Sequence, residues 1–430
     1  MDTFHQSVWS FLARPREPSA ALAAEMDADV LVCGGGFMGL STALHLAKSG
    51  VRVVLVEAEQ IGFGASGRNT GFVVPSLKTM IGPDDVSSRL GETYAKRLVS
   101  LVGDSGNILF DLVRELSFDC SAEQTGWLQP AHSKAMLAVL ERRASEWRRL
   151  GKNVEMLDRG KTAAQVGTDV YHGAFFVPSG GQINPLAYAR ALADACVAAG
   201  VKIYEKTRVL GFERTSQWLA RTPAGTVRAE RVVLATNGLV GKLVPEVNAG
   251  IIPARVFQIA TQRYDAEAQR RILPGRSPVA DTRRHTFAVR WSPDGRLLTG
   301  GIVVLGPRAL ERAKRKFSTR LQSFFPDIEK PEAEFSWTGT IAVTMDSYPR
   351  YFDVAPNMDA VIGCNGRGVA LTTALGRELA RHYTGESKDG FILPREKPKA
   401  VPMRRFAELG PSFWLPLSEF RDAQESRAPV

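Results

Sequence analysis

The sequence predicts an α/β chain: a parallel-sheet domain, discontinuous in sequence, interrupted by a mostly antiparallel α+β domain. Three observations carry this. Strand, glycine-rich turn and helix follow one another directly over 30–50. The same succession returns only at 360–382, "AVIGCNGRGVALTTALGRELARH". Between them, 251–345 alternates in the manner of antiparallel strands, with one helical pattern near 309–325.

The first unit reads "VLVCGGGFMGLSTALHLAKSGVRVVLVEAE" (30–59). Val30–Cys33 is an apolar run suited to a strand buried on both faces. Gly34, Gly36 and Gly39 fit G-x-G-x-x-G. They serve a tight turn, a close backbone approach to a pyrophosphate, and close packing of helix on strand. Leu40, Leu44 and Ala47 recur at helical spacing until Gly50. A second strand, 52–56, ends on Glu57, placed to accept from ribose hydroxyls and to repel a 2′-phosphate. The helix N-terminus offers free N–H groups to the anion. This is a Rossmann-like unit for an adenine dinucleotide.

The chain then departs from repeated βα units. "AEQIGFGASGRNTGFV" (58–73) is a loop rich in glycine and small residues, and helical patterns follow at about 86–116 and 132–150. Residues 180–214 read as a proline-started helix, a glycine stop and a strand. Short antiparallel strands surround "TPAG" within 208–230, and a buried strand at 231–234 runs into "ATNG".

Composition bounds the rest. At 430 residues two domains are expected, and 44% hydrophobic with 23% charged residues is ordinary for a soluble globular protein. No apolar stretch reaches membrane-spanning length, the first thirty residues lack the order of a secretory signal, and a cytoplasmic location is expected. The net charge of +10 sits in pairs such as Arg142-Arg143 and Arg148-Arg149 beside acids, which reads as solvated helix faces. No basic stripe interleaved with aromatics suggests nucleic acid. The four cysteines are unpaired in spacing and expected as reduced thiols; the six histidines are scattered, and no metal is expected.

With these segments the chain resembles the FAD-dependent D-amino-acid-oxidase superfamily, in the branch of glycine oxidase, sarcosine oxidase and γ-glutamylputrescine oxidoreductase. The resemblance rests on the fingerprint ending at Glu57, "GFGASGRNTG" (62–71), "GGQINPLAYARAL" (180–192), "GCNGRGVALTTALG" (363–376), and, for the branch, "WTGTIAVTMDSYP" (337–349). It implies non-covalently bound FAD. Ala65, Ser66, Arg68, Asn69 and Thr70 would line the pyrophosphate, ribityl chain and flavin; Val209 would present its backbone to the adenine. Gly366, Arg367, Gly368 and Val369 would meet the isoalloxazine ring, where the helix N-terminus stabilises negative charge at N1–C2=O. Phe37, Met38, Ala58 and Asn237 complete the cofactor set. The implied division gives 28–80, 155–250 and 346–400 to the FAD domain and 81–154 and 251–345 to the substrate domain. Residues 1–27 form an N-terminal extension and 401–430 a C-terminal tail.

One departure bears on the substrate. Amino-acid oxidases of this superfamily carry a carboxylate-clamping arginine in the strand that here reads Trp337-Thr338-Gly339-Thr340-Ile341. A secondary or N-substituted amine is therefore expected ahead of a simple α-amino acid. Ile341 stands in the arginine's place, Trp337 is the candidate wall of the amine site, and Arg367 is left open between flavin and substrate. The implied reaction is hydride transfer from the carbon beside nitrogen to flavin N5, giving an imine that hydrolyses, with oxygen or another acceptor taking the electrons. No His, Asp or Glu presents itself as a catalytic acid or base. A flavin-dependent hydroxylase would carry Gly-Asp where Gly366-Arg367-Gly368 stand; a non-catalytic FAD-binding subunit would share the same motifs.

Overall fold

The computed structural model describes residues 6–78, 81–304, 306–387 and 389–427. The ends of both terminal segments, 1–5 and 428–430, lie outside the described residues.

The first expected strand is the centre of a nine-stranded sheet. Glu25–Cys33 pairs in parallel with Val53–Val56 on one side and Thr226–Leu234 on the other. Lys202–Tyr204 extends the sheet beyond Val53–Val56, and Met358–Ile362 beyond Thr226–Leu234, both in parallel. Arg350–Ala355 closes that edge antiparallel, followed by Arg395–Glu396. The "TPAG" turn joins Trp218–Arg221 to Thr226–Leu234, and Gly211–Arg214 pairs outside it. Helices Phe37–Lys48 and Gly368–Tyr383 pack on each other against one face, bringing the two ends of the chain into one core.

The second sheet has eight strands, in the order Ala333–Val343, Ile252–Arg263, Arg296–Ile302, Ala288–Trp291, Val279–Ala280, Trp127–Pro130, Ala174–Val177, Glu155–Leu157. One pairing, Val279 with Leu128, is parallel; the others are antiparallel. Helix Ala309–Phe324 covers it through Phe317 and Leu321.

Three boundaries move. The boundary at 155 is too early, because Glu155–Leu157 and Ala174–Val177 join the second sheet. Apolar runs this short carry no register of their own and pair wherever an edge is free. The first strand begins at Glu25, inside the supposed extension, since Glu25–Ala28 pairs with Thr226–Ala229. The 86–116 pattern is two helices, Pro83–Leu90 and Glu92–Glu115, broken at Gly91 with φ of +79°.

The solvated-face reading fails for Arg143. It is buried on the inward stripe of helix Lys134–Arg149, with Met136, Leu140, Ala144 and Trp147. No described helix is long and apolar enough to cross a membrane.

Candidate cofactor and substrate site

The glycine fingerprint folds as its spacing demands. Gly34 takes φ of +118°, and a Cβ on Gly39 would fall 2.0 Å from the Gly34 carbonyl oxygen, so turn and helix close only without side chains there. Gly36 caps helix Phe37–Lys48 with no side-chain hydrogen bond. The Phe37 amide donates to Ser66 Oγ at 3.0 Å, which seats the "GASGRN" loop on the helix N-terminus. Glu57, at the end of its strand, accepts from the Gly35 amide at 2.7 Å and the Glu59 amide at 2.9 Å. Burial raises its pKa, opposed by those two hydrogen bonds. Backbone bonds from Thr207 and Lys206 to 57–59 bring Glu57, the half-buried Ala58 and the segment leading to Val209 to one sheet edge.

A cavity of about 770 Å³ begins at Gly36, Phe37 and Met38 and runs between the two sheets. Ala65, Ser66, Arg68, Asn69 and Thr70 line one side. The Arg68 and Asn69 side chains are occupied in shaping that loop. Arg68 donates to the Phe63 and Thr338 carbonyls at 2.7 and 3.2 Å, and Asn69 to Ala65 and Ser66 at 3.0 and 2.8 Å. Gly366, Arg367, Gly368 and Val369 line another side, where helix Gly368–Tyr383 starts without a side-chain cap. Asn237 also reaches the cavity, its Nδ2 lying 3.5 Å from Cys364 Sγ. Glu57, Ala58 and Val209 lie outside this cavity, at the sheet edge beside the fingerprint turn.

These residues fit FAD. Two uncapped helix N-termini open on one cavity, one for a pyrophosphate and one for a ring carbonyl that gains charge. Gln258 Oε1 and Thr236 Oγ1, on or beside it, are buried and have no hydrogen-bond partner among the described residues.

Trp337 is corrected. It shares the face of Gly339 and Ile341, both of which line the cavity, but it is fully buried beneath the loop and the N-terminal helix. Its Nε1 donates to the Arg68 carbonyl at 2.8 Å, and its ring meets Trp9 edge-on at 6.4 Å. It supports the site and does not wall it.

Sequence reasoning missed the side chains that the second sheet and its neighbours contribute: Lys78, Trp127, Thr282, Arg283, Arg284 and Trp414 all line the cavity. Arg367 is half-buried, stacks on Trp127 at 5.1 Å and makes one long hydrogen bond, 3.4 Å to the Ser76 carbonyl. Burial pushes its pKa down to about 10. The Lys78 pKa is also lowered, by burial and then by Arg367. Among the described residues no His, Asp or Glu lines the cavity. Arg283 and Arg284 are balanced from outside, by Asp281 and by Asp422 and Glu425 of the C-terminal helix Arg404–Arg427.

The scattered histidines are not all isolated. His132, Asp422 and Glu425 hold ligand atoms within 4.8 Å of one another. Arg284 pairs with both carboxylates, so the protein supplies its own cation there.

A family model described as FAD dependent oxidoreductase (DAO) matches residues 29–382. Gamma-glutamylputrescine oxidoreductase of Escherichia coli (strain K12) is 34% identical over 384 residues, 89% of each chain. Glycine oxidase of Geobacillus kaustophilus (strain HTA426) is 26% identical over 75% of this chain and 83% of its own. Of solved structures, L-proline dehydrogenase from P. horikoshii superposes with a TM-score of 0.72 at 20% identity, over 86% of this chain and 96% of that one. The fold, the fingerprint and the late glycine loop agree with this family match: the chain belongs to the DAO family of FAD-dependent oxidoreductases.

Proposed function

We propose that this oxidoreductase acts on the C–N bond of a secondary or N-substituted amine that carries a carboxylate away from the reacting carbon. The carrying observation is the make-up of the cavity between the "GASGRN" loop and the 363–369 loop. Its described lining has an apolar strand face around Ile341, two cations without acidic partners, Lys78 and Arg367, and no carboxylate or imidazole. The two similar enzymes named above, gamma-glutamylputrescine oxidoreductase and glycine oxidase, bear names of amine and amino-acid chemistry, which supports the class.

FAD, when bound, supplies the hydride acceptor for the carbon beside nitrogen. The chain's own residues do the rest. Ala65, Ser66 and the backbone of Gly366–Val369 would hold the ring, and the helix N-terminus at Gly368 would offer its dipole to developing negative charge. Ile341, Val343 and Gly339 keep one wall dry, which disfavours a charged amine and lowers its pKa, so the nitrogen enters neutral without a protein base. Positioning over the ring is then the main catalytic demand.

The same reading assigns the nine-stranded sheet to the cofactor and the eight-stranded sheet to the substrate. It places the enzyme in the cytoplasm, with oxygen or another acceptor as electron sink and no nucleic-acid partner. The flavin is held non-covalently: 337–346 contains no cysteine, and Cys364 Sγ is engaged by Asn237. Acid precipitation should leave the yellow colour in the supernatant; colour in the pellet overturns this. For the substrate, anaerobic titration with D-alanine, glycine, sarcosine and γ-glutamyl-type amines decides. We expect the N-substituted, carboxylate-bearing amines to bleach the flavin fastest. Faster bleaching by D-alanine or glycine overturns the assignment.

A further inference from the structure

We infer that Lys78 and Arg367 form an anion subsite that takes a carboxylate of the ligand, with Arg143 behind them as the residue that positions Lys78. The identification of that carboxylate as a substrate group rests on the amine-oxidation reading above; the subsite itself does not.

Both cations face the cavity, and among the described residues neither has a carboxylate partner. Among the described residues, the Arg367 side chain makes one long hydrogen bond, to the Ser76 carbonyl, and the Lys78 side chain makes none. The other arginines on the cavity differ in kind. Arg68 is spent on the carbonyls of Phe63 and Thr338, and Arg283 and Arg284 pair with acids. Cations withdrawn from bulk water without a counter-charge are costly, and a site that retains two of them side by side is stabilised by whatever anion enters.

The geometry also selects the anion. The Arg367 guanidinium carbon lies 5.1 Å from the centre of the Trp127 ring, and a planar guanidinium fork held there has the N–H geometry that suits a carboxylate. Lys78 adds a point charge from a second direction. The fork reaches Trp127, a residue of the second sheet, so the subsite belongs to that sheet's wall of the cavity.

Arg143 explains why Lys78 is where it is. Its guanidinium donates to Gln129 Oε1 at 2.8 Å, to Ser76 Oγ at 2.5 Å and to the Leu77 carbonyl at 2.5 Å. Those three bonds lock the turn immediately before Lys78 onto the second sheet. The helix that carries Arg143 has no other contact of this kind with the turn among the described hydrogen bonds.

The test is ligand binding to the FAD-loaded protein, read from the perturbation of flavin absorbance. Acetate, propanoate and butanoate are the probes, with the matching primary amides as controls. We expect the carboxylates to bind at least ten-fold tighter than the amides. Lys78→Met should abolish that preference, Lys78→Arg should restore most of it, and Arg143→Met should weaken it several-fold while the amides are unaffected. Equal binding of acids and amides by the unaltered protein overturns the subsite, as does an undiminished preference in Lys78→Met. The flavin midpoint potential separates the rival role. If Lys78→Met shifts the potential and leaves carboxylate affinity unchanged, the cations serve the ring and the inference is wrong. Carboxylate binding through Lys78 in a protein that no amine reduces would leave the subsite standing and remove the amine reading instead.

Discussion

The proposed nucleotide end and the proposed substrate end of this molecule are built from different materials. At the nucleotide end the working groups are main-chain: the amides after Gly36, the amides of Gly35 and Glu59 on Glu57, and the uncapped turn at Gly368. At the substrate end they are side chains from separate stretches of sequence, among them Lys78, Trp127, Arg284, Ile341 and Trp414. A main-chain site constrains which residues are sterically allowed, whereas a side-chain site constrains only which segments meet. The first should fail abruptly when altered and the second by degrees.

The largest effect should come from Gly39→Ala. The added methyl would lie 2.0 Å from the Gly34 carbonyl oxygen, a backbone atom that cannot swing aside. Overpacking of this kind costs about 1–3 kcal/mol, and here it also pushes the helix N-terminus off the turn. We expect a chain that purifies without flavin and melts earlier. Full flavin occupancy would mean that this end is more compliant than its glycines indicate.

That contrast also sets what was legible in the sequence. Gly34 and Gly39 stand at fixed spacing because the turn admits no side chain at either, Gly36 and Glu57 complete the spaced pattern, and the parallel strands around them follow. Trp337 shows why a lining residue is hard to read. Strand parity puts it on the face of Gly339 and Ile341, but period two does not reveal where along a strand a covering loop begins. Arg143 was misread, although a signal was present: it falls at helical spacing with Met136, Leu140, Ala144 and Trp147, the stripe that turns inward. Lys78 and Trp127 had no local pattern. They become neighbours of Arg367 only through the pairing of strands remote in sequence.

Next in size is Glu57→Gln. The carboxylate already accepts two amides, and the ribose hydroxyls would be further donors to it. Weakening that acceptor should cost about 1–3 kcal/mol of FAD affinity. Dialysis against FAD-free buffer, followed by absorbance, checks it. Unchanged retention would move the ribose away from Glu57.

Trp337→Phe should be smaller and of a different kind. It removes the hydrogen bond to the Arg68 carbonyl inside a closed cluster, with a stability loss of about 1–2 kcal/mol. Because the indole does not reach the cavity, the ranking of amine substrates should stay as it was. A changed ranking would restore Trp337 to the amine site and break the distinction between supporting and lining residues.

The smallest effect concerns the seam where the C-terminal helix meets the second sheet. Trp414 of that helix lines the cavity, and Asp422 and Glu425 anchor it. Arg284 donates to Asp422 at 2.8 Å and to Glu425 at 2.7 Å, and His132 Nε2 lies 3.4 Å from Glu425. The hydrogen bond from Arg284 is the foremost cause holding the Glu425 carboxyl below its ordinary range, while burial chiefly depresses His132. The signs agree. A depressed carboxylate contributes in full above its unfolded value, near pH 4.3, and loses that contribution as pH falls through its lower folded value. A histidine depressed on folding binds its proton more readily when undocked, so its share begins to fall below about pH 6.5. Acid should therefore loosen the helix in two stages, histidine first. Glu425 is partly exposed, so its pairing is worth no more than about 1 kcal/mol. The fluorescence difference between the unaltered chain and Trp414→Phe reports the docking of this helix. We expect it to change between pH 7 and 3, the first stage with a midpoint below about 6.5, and Glu425→Gln to remove only the stage below about pH 4.3. A signal flat across that range would show that the anchor is set by Asp422 alone, whose side chain is buried against the Arg284 and His285 amides at 3.0 and 3.4 Å.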